Sequence, residues 1–276
     1  MGLRPSPIRP NKAFKRSTSR RDLTELRYGN WIRRRVLWGL GLAGSAALAL
    51  AAAPVYPTLR LGGALLAAVL LISLSFPLYA YYAFSPAGGD LQDRVYQLLV
   101  DSVCPWTGPA LDIGAGNGVL AIKLALANPD SRVTGIDYWG TDWEYAQSVC
   151  EDNARRAHVE DRVAFVHGTA ADLPFDENEF AVVTSNLTFH EVKTELNKRR
   201  LIEEALRVLR PGGRFAFVDL FYDDEHYGAT SDLESFLRSL GLSQVGLTRL
   251  DSHLALPAPL RLRRALGRAG LVCGQK

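Results

Sequence analysis

Three alternating glycines, at positions 114, 116 and 118, mark the segment of this sequence best suited to hold a ligand. They follow an apolar run that ends in Asp112-Ile113, and they precede a segment with helical spacing of apolar residues. A second apolar run then ends at Asp137. Glycine lets the backbone approach a ligand where a Cβ would collide, and a carboxylate at the tip of the next strand can bind a ribose diol. The pattern predicts the nucleoside-binding half of a doubly wound α/β fold.

The spacing of these glycines distinguishes two classes of ligand. Gly114, Gly116 and Gly118 follow the pattern G-x-G-x-G, which is one residue tighter than the G-x-G-x-x-G fingerprint of dinucleotide-binding enzymes. The tighter pattern favours S-adenosylmethionine over NAD, since a methionine carboxylate in place of a pyrophosphate can lie near a helix N-terminus. A nicotinamide-dependent oxidoreductase that shares this half-fold is the alternative.

Charge and cysteine content narrow the function classes further. Residues 1–35 hold eleven Lys and Arg against Asp22 and Glu25, a net charge of +9, so residues 36–276 carry −6 of the total of +3. This mildly acidic larger part of the chain does not indicate a nucleic-acid partner. The three cysteines lie far apart without metal-ligand spacing, which predicts reduced thiols and no metal site.

Two uncharged segments precede the glycine motif. Residues 36–53 are eighteen residues without a charge and residues 61–84 are twenty-four, and a spanning helix needs about 20 apolar residues. They predict a two-helix transmembrane hairpin within residues 36–84, which provides the contact with the membrane. A basic cytoplasmic tail (residues 1–35) would precede the hairpin, and a catalytic domain (residues 85–276) would follow it.

The basic tail also predicts the orientation of the hairpin. Arg and Lys concentrated before the first span indicate a cytoplasmic N-terminus, and two spans return the chain to the same side. The sequence thus predicts an integral, multi-pass protein, of a bacterial inner membrane, with a cytoplasmic catalytic domain. Three alternatives are a signal peptide cleaved near residues 51–53, an Arg-rich transit peptide, and burial of both segments in a soluble domain.

Short apolar runs alternate with helical patterns after residue 85. Strands are predicted at residues 110–113, 133–136, 163–166, 180–184, 214–220, 245–250 and 271–273. Because strands that alternate with helices require right-handed crossovers, the sequence predicts a Rossmann-like, doubly wound, mostly parallel seven-stranded sheet. The helix before the fifth strand is predicted to end at Pro211-Gly212-Gly213.

These motifs together resemble the class I S-adenosylmethionine-dependent methyltransferases, and within them the type 11 branch that includes the ubiquinone- and menaquinone-biosynthesis enzymes. Residues 111–118 look like the first motif of that family, and residues 171–175 look like its adenine-binding loop. Residues 206–214 are similar to its segment that enters the fifth strand. The resemblance covers about residues 90–220, and it implies an enzyme that transfers a methyl group from S-adenosylmethionine.

The resemblance also implies which residues bind the cofactor. Asp137 is expected to bind the ribose and Asp172 the adenine amino group, beside the backbone of Ala171. Tyr138 is expected to stack on the adenine face, with packing beneath the next helix as the alternative. The complete expected set is Asp112, Gly114, Ala115, Gly116, Gly118, Asp137, Tyr138, Ala171, Asp172 and Asn186.

Asn186 and His190 are the polar residues expected at the reacting end, as catalytic candidates. Methyl transfer from a sulfonium mainly needs in-line placement of the nucleophile, but an oxygen nucleophile gains from a base such as His190. Capping and packing are the alternative role for His190. Since residues 185–191 depart from the quinone-biosynthesis enzymes, the acceptor does not carry over from the resemblance.

The sequence therefore predicts a membrane-tethered methyltransferase that acts on a small-molecule or lipid acceptor. Tethering would hold the active site near a bilayer in which a lipid-soluble acceptor is concentrated. Two alternatives belong to other functional classes. One is a nicotinamide-dependent oxidoreductase, and the other is a non-catalytic S-adenosylmethionine-binding sensor that regulates a membrane partner.

Overall fold

The computed structural model describes residues 29–54, 56–140 and 145–276. Most of the predicted basic tail, residues 1–28, lies outside this description. The chain divides into two compact units, of which the first is Asn30–Arg94 and the second includes Val95–Lys276. The first unit holds two long apolar helices, and the second holds a mixed sheet with flanking helices.

The first unit is a helical hairpin. Helix α1 (Arg34–Ala52) and helix α2 (Pro57–Phe84) are joined by four residues and pack against each other. Pro57 occupies the first turn of α2, where its missing N–H would have no helical partner in any case. By length and composition both helices are apolar enough to cross a membrane.

Small residues form the contact between these two helices. Gly44 and Ala47 of α1, with Gly63 and Ala67 of α2, are buried. A Cβ added to Gly63 would lie 2.9 Å from the backbone nitrogen of Ala51 and 3.0 Å from the carbonyl oxygen of Ala47. Such close backbone approach through small residues is typical of helix pairs in membranes.

Large apolar side chains lie on the outside of the hairpin. In a soluble helix pair the large apolar side chains fill the interface and polar residues face water. In this hairpin the opposite holds: glycine and alanine lie between the helices, and the large apolar side chains lie on the outer surface. The exposed large apolar residues include Leu42, Leu48, Leu65, Leu66, Val69 and Ile72.

The second unit is built on one sheet, with seven strands among the described residues. The strands are β1 (Ala110–Ile113), β2 (Val133–Asp137), β3 (Val163–His167), β4 (Phe180–Asn186), β5 (Leu209–Asp219), β6 (Gln244–Arg249) and β7 (Gly270–Gln275). Their order is β3-β2-β1-β4-β5-β7-β6. Strands β1 to β5 are mutually parallel, and β7 is antiparallel to both β5 and β6. The predicted Rossmann-like, mostly parallel sheet is confirmed.

Helices cover both faces of this sheet. They are α3 (Leu91–Val103), α4 (Val119–Ala127), α5 (Gln147–Arg156), α6 (Lys198–Arg207), α7 (Asp224–Tyr227) and α8 (Thr230–Ser239). All four residues of β1 are buried, as expected for a central parallel strand covered on both faces. Core residues such as Phe180, Phe215 and Phe217 pack with Ile202 of α6 and Leu233 of α8.

One predicted boundary is wrong. The helix expected to end at Pro211-Gly212-Gly213 ends instead at Arg207. The Pro-Gly-Gly segment belongs to the first part of β5. Phe180 pairs with Leu209 while Val182 pairs with Arg214, so extra residues of β5 bulge out of the ladder. A Pro-Gly-Gly segment suits such a bulge as well as it suits a helix end, since neither position needs every backbone N–H.

The packing of α1 against α2 predicts different effects for two adjacent glycines. Gly63→Leu should force the helices apart because its Cβ meets backbone atoms, whereas Gly62→Leu should not, since a Cβ there meets nothing within 4 Å. Spin labels at positions 42 and 72, in a chain without its own cysteines, would report the separation by pulsed electron resonance. We expect a longer or broader distance distribution for Gly63→Leu only. Equal distributions for both variants would contradict the close packing at Gly63.

Candidate active site

The expected site residues collect at the carboxyl ends of the parallel strands. Asp112 and Asp137 lie at the ends of β1 and β2, and Asn186 ends β4. Asp219, which ends β5, was not among the residues expected from the sequence. Ligands of open α/β sheets bind at this edge, where the strand order reverses between β1 and β4.

The glycine loop connects β1 to α4 through left-handed backbone. Gly114 has φ +78° and Gly116 has φ +57°, a region that residues with a Cβ rarely adopt. The N–H groups of Gly114 and Ala115 both donate to the carbonyl of Ile136, at 2.8 and 3.1 Å, and that of Gly118 donates to Ala115. These donors are used within the protein, so the loop offers a ligand mainly its open space and its short side chains.

The carboxylate of Asp137 ties the glycine loop to the end of β2. Its Oδ2 accepts from the N–H of Gly116 at 2.8 Å, and its Oδ1 accepts from the N–H of Trp139 at 2.8 Å. The indole of Trp139 donates in turn to the carbonyl of Gly116 at 2.8 Å. Burial raises the pKa of Asp137, although these N–H groups oppose the shift. The backbone N–H of Tyr138 also acts on this carboxylate, which has about four acceptor positions, so part of its accepting capacity is left for a ligand hydroxyl.

Two buried side-chain oxygens near the glycine loop have no hydrogen-bond partner among the described residues. They are Oδ2 of Asp112 and Oδ1 of Asn186. The other oxygen of Asp112 accepts from the hydroxyl of Thr184 at 3.1 Å. Burial, with a smaller contribution from the charge of Asp137, raises the pKa of Asp112 to about 7, and hydrogen bonds from Thr184 and the backbone of Ala121 oppose this shift. Unpaired buried acceptors are costly, so both oxygens suit a ligand that brings N–H donors or positive charge.

Two side chains of helix α6 hold the segment that follows β3. Glu204 accepts from the N–H of Leu173 at 2.8 Å and pairs with Arg207 at 2.8 Å. Arg207 donates to the carbonyls of Leu173 and Phe175, at 3.0 and 2.9 Å. The Glu204–Arg207 pair thus holds both ends of the turn after Asp172, whose own side chain is exposed. This pair was not predicted from the sequence, because Glu204 and Arg207 have the spacing of the polar face of an ordinary helix.

Tyr138 follows β2 and is largely exposed, with 66% of its surface accessible. Its ring centroid lies 5.4 Å from that of His167, at the end of β3. It is therefore not packed beneath the next helix, which was the alternative considered for it. An exposed aromatic face beside Asp137 is available to a planar base.

His190 forms the centre of a second cluster, beyond β4. It lies in a short 3-10 turn, Phe189–Glu191, and its Nδ1 is 2.8 Å from Oδ1 of Asp219. Asp219 is 1% exposed and accepts three further backbone N–H groups, from Phe189, His190 and Leu220. With that carboxylate ionised, Nδ1 donates and Nε2 is the basic nitrogen.

The charges around His190 determine its titration. Burial alone would lower the pKa of His190, but the charge and hydrogen bond of Asp219 outweigh it and raise the pKa above the ordinary 6.5. Glu191, 3.6 Å from Nε2, acts in the same direction, and Lys198 opposes it. Burial would raise the pKa of Asp219, but His190 and the backbone donors hold it below its ordinary value. This pattern is typical of a base oriented by a buried carboxylate.

The two clusters meet where the segment after β4 crosses the glycine loop. A Cβ on Gly114 would overlap the side chain of Thr188, two residues before His190. Leu187 adopts φ +52° at this point, a strained conformation for a residue with a Cβ. A short and strained connection therefore separates His190 from the residue that contacts the glycine loop.

The family described as "Methyltransferase domain" matches residues 111–217. The 27-O-demethylrifamycin SV methyltransferase of Amycolatopsis mediterranei is 38% identical over 145 residues, which are 52% of this chain and 50% of that protein. The demethylmenaquinone methyltransferase of Clavibacter sepedonicus is 35% identical over 43% of this chain and 44% of its own length. The chain thus spans about half the length of these curated relatives.

Solved structures agree with the fold. Geranyl diphosphate C-methyltransferase from Streptomyces coelicolor A3(2), crystallised with Mg2+, geranyl diphosphate and S-adenosyl-L-homocysteine, superimposes with a TM-score of 0.51. Its sequence is 14% identical, and the match covers 68% of this chain and 81% of that chain.

The strand order of this chain differs from the order 3-2-1-4-5-6 of dinucleotide-binding enzymes, because β7 lies between β5 and β6. This sheet order weighs against the oxidoreductase alternative.

The residues at the glycine loop fit S-adenosylmethionine. Its ammonium and sulfonium are cationic, and the open oxygens of Asp112 and Asn186 are acceptors without partners. The remaining accepting capacity of Asp137 fits a ribose hydroxyl, and the exposed ring of Tyr138 fits a base. The raised pKa of Asp112 predicts that the affinity for S-adenosylmethionine depends on pH.

We expect the affinity for S-adenosylmethionine to rise between pH 6 and pH 8 and then to level off. Below about pH 7 Asp112 is mostly protonated, and a cation nearby favours the carboxylate, so binding at low pH must release a proton. The dependence should approach tenfold per pH unit on the acid side. Calorimetric titration across this range measures it.

Asp112→Asn keeps the shape of the protonated side chain and should flatten the profile. Asp130→Asn, which changes an exposed carboxylate, is the matched control and should keep the wild-type slope. If the wild-type affinity does not change with pH, or if Asp112→Asn retains the same slope, then Asp112 does not interact with the bound cation.

Proposed function

We propose that this chain is a class I S-adenosylmethionine-dependent methyltransferase and that it transfers the methyl group to a hydroxyl oxygen of a small, membrane-soluble acceptor. The observation that carries this proposal is the His190–Asp219 pair beside the glycine loop. A hydroxyl must lose its proton to become a good nucleophile, and a positioned imidazole is a suitable base near neutral pH.

His190 does the acid–base work in this proposal. Asp219 fixes the ring through Nδ1 at 2.8 Å, which leaves Nε2 to accept the hydroxyl proton of the acceptor. Asp219 also stabilises the imidazolium that results, since its carboxylate is buried and already ionised. Bound S-adenosylmethionine supplies an electrophilic methyl group, and the oxygen–carbon bond forms as the carbon–sulfur bond breaks, leaving S-adenosylhomocysteine.

The other residues of the site bind and orient. In the proposal Asp137 holds the ribose, Tyr138 and Asp172 hold the adenine, and Asp112 with Asn186 holds the methionine end. Gly114, Ala115, Gly116, Gly118 and Ala171 line the same space through their backbone. Orientation of this kind supplies much of the rate of methyl transfer, because the leaving group needs no assistance from an acid.

The hairpin supports a membrane-soluble acceptor. Its outer surface carries large apolar side chains and its interface carries glycine and alanine, an arrangement suited to lipid rather than to water. We propose that α1 and α2 span the membrane and that the catalytic domain, residues 85–276, lies on the cytoplasmic side with the basic tail. A tether at the bilayer raises the local concentration of an acceptor dissolved in it.

The named relatives support a small-molecule acceptor. One relative is named for a methylation of 27-O-demethylrifamycin SV and another for a methylation of demethylmenaquinone. The first name specifies a substrate that lacks a methyl group on oxygen, which agrees with a role for a general base. Neither substrate is assigned to this chain.

The proposed base predicts a loss of turnover without a loss of cofactor binding. We expect His190→Gln to lower kcat by about 10²- to 10⁴-fold, the usual contribution of a positioned general base. The affinity for S-adenosylmethionine should stay within about twofold. His253→Gln changes a histidine whose Nε2 pairs with Thr248 at 2.8 Å, and it is the matched control.

Asp219→Asn tests the orientation of that base through its pH profile. The raised pKa of His190 places the acid limb of kcat above pH 6.5, since turnover needs the neutral ring. Removal of the carboxylate charge should lower the pKa, so the limb should move to lower pH while the maximum rate falls. A wild-type rate in His190→Gln, or an unmoved limb in Asp219→Asn, would exclude this pair as the base.

Deletion of residues 1–84 tests the role of the hairpin. The sheet, the glycine loop and His190 all lie beyond it, so the shortened chain should fold and keep its affinity for S-adenosylmethionine. With a long-chain alkyl naphthol as acceptor, turnover in lipid vesicles should fall by at least about tenfold. Turnover in detergent micelles should change much less. Equal effects in vesicles and micelles would mean that the hairpin does not deliver the acceptor.

A further inference from the structure

A second histidine lies beside the proposed base. His226, in α7, has its ring centroid 6.0 Å from that of His190, with the two ring planes at 84°. The side chain of His226 is 30% exposed and that of His190 is 17% exposed. The two rings are therefore close enough for one small molecule to contact both.

His226 is held in the same way as His190. Its Nδ1 lies 3.1 Å from Oδ2 of Asp223, a carboxylate that is 4% exposed. Arg268 approaches the same oxygen at 2.7 Å and outweighs burial, so the pKa of Asp223 lies below its ordinary value. With Asp223 ionised, Nδ1 of His226 donates to it, and Nε2 has no hydrogen-bond partner among the described residues.

The segment that carries His226 is fixed on both sides. Arg199 of α6 donates twice to the carbonyl of Tyr227, at 3.0 and 2.6 Å. Asp223 uses its other oxygen, Oδ1, to cap α7 by accepting from the N–H of Glu225 at 3.2 Å. The cap needs only that one oxygen, so the bonds of Oδ2 to His226 and Arg268 serve to position the imidazole.

We propose that His226 determines acceptor specificity by binding a second oxygen of the acceptor, next to the oxygen that His190 deprotonates. This inference rests on the proposed function and narrows its substrate class to acceptors with oxygens on adjacent carbons, such as a vicinal diphenol or an enol beside a carbonyl. A hydrogen-bonding site rejects an analogue that leaves its polar group unpaired, so one missing oxygen has a measurable cost.

The test compares two probes that differ by one hydroxyl. 2,3-Dihydroxynaphthalene and 2-naphthol are titrated separately into the full chain in detergent, loaded with S-adenosylhomocysteine. We expect the wild type to bind the diol at least about tenfold more tightly. His226→Phe keeps a ring without nitrogen and should abolish that preference, and His226→Gln, which keeps a polar group, should restore part of it.

His253→Phe is the matched control and should keep the wild-type ratio of dissociation constants. Unchanged melting temperature and S-adenosylhomocysteine affinity in His226→Phe establish that the site is intact. The inference is overturned if the wild type binds both probes equally or binds neither, or if His226→Phe retains the preference for the diol.

Methylation of the two probes by the wild type is measured independently. If the binding ratios behave as expected but neither probe is methylated, the proposed O-methyl transfer fails and the role of His226 in binding stands. If the wild type methylates both probes without any preference in binding, the proposed function stands and the role of His226 is wrong.

Discussion

The close approach of two loops at Gly114 is the constraint on which the candidate site depends. The loop after β1 carries the residues suited to the cofactor, and the segment after β4 leads to His190. They cross where Gly114 has no side chain and Thr188 occupies the space that a Cβ would need. A larger residue at Gly114 would push the segment after β4 away, and His190 would move relative to Asp219. One missing methyl group therefore couples the geometry of cofactor binding to the geometry of the proposed base.

Buried carboxylates organise both halves of this site by accepting backbone N–H groups. Asp137 joins the glycine loop to the end of β2, and Asp219 joins the turn after β4 to the end of β5. Each carboxylate thus fixes a loop that comes from a different strand. Hydrogen bonds to an ionised acceptor are stronger than those between neutral groups, so these carboxylates hold the two loops firmly in place. The Asp112 carboxyl differs, because one of its oxygens is buried without a hydrogen-bond partner among the described residues.

Much of the fold and part of the site could be predicted from local sequence. The glycine loop, Asp137 and the seven strands follow from periodicity and turn residues, which act over a few positions. The pairing of His190 with Asp219 spans 29 residues, and nothing local in either segment indicates the partner. A weak signal existed, since Asp219 ends an apolar strand just as Asp137 does. The clamp of Glu204 and Arg207 was missed for a similar reason, because helical spacing alone suggests only a solvated face.

The insertion of β7 between β5 and β6 sets the order in which the site can be assembled. The residues suited to the cofactor lie on β1 to β4 and the loops between them, and β4 ends at Asn186. Arg268, which braces Asp223, comes from the segment just before β7 and can reach its place only when that strand closes the sheet. A chain is synthesised from its N-terminus, so β1 to β4 are complete well before Arg268 is made. During synthesis we therefore expect a chain able to hold the nucleoside before it is able to select an acceptor.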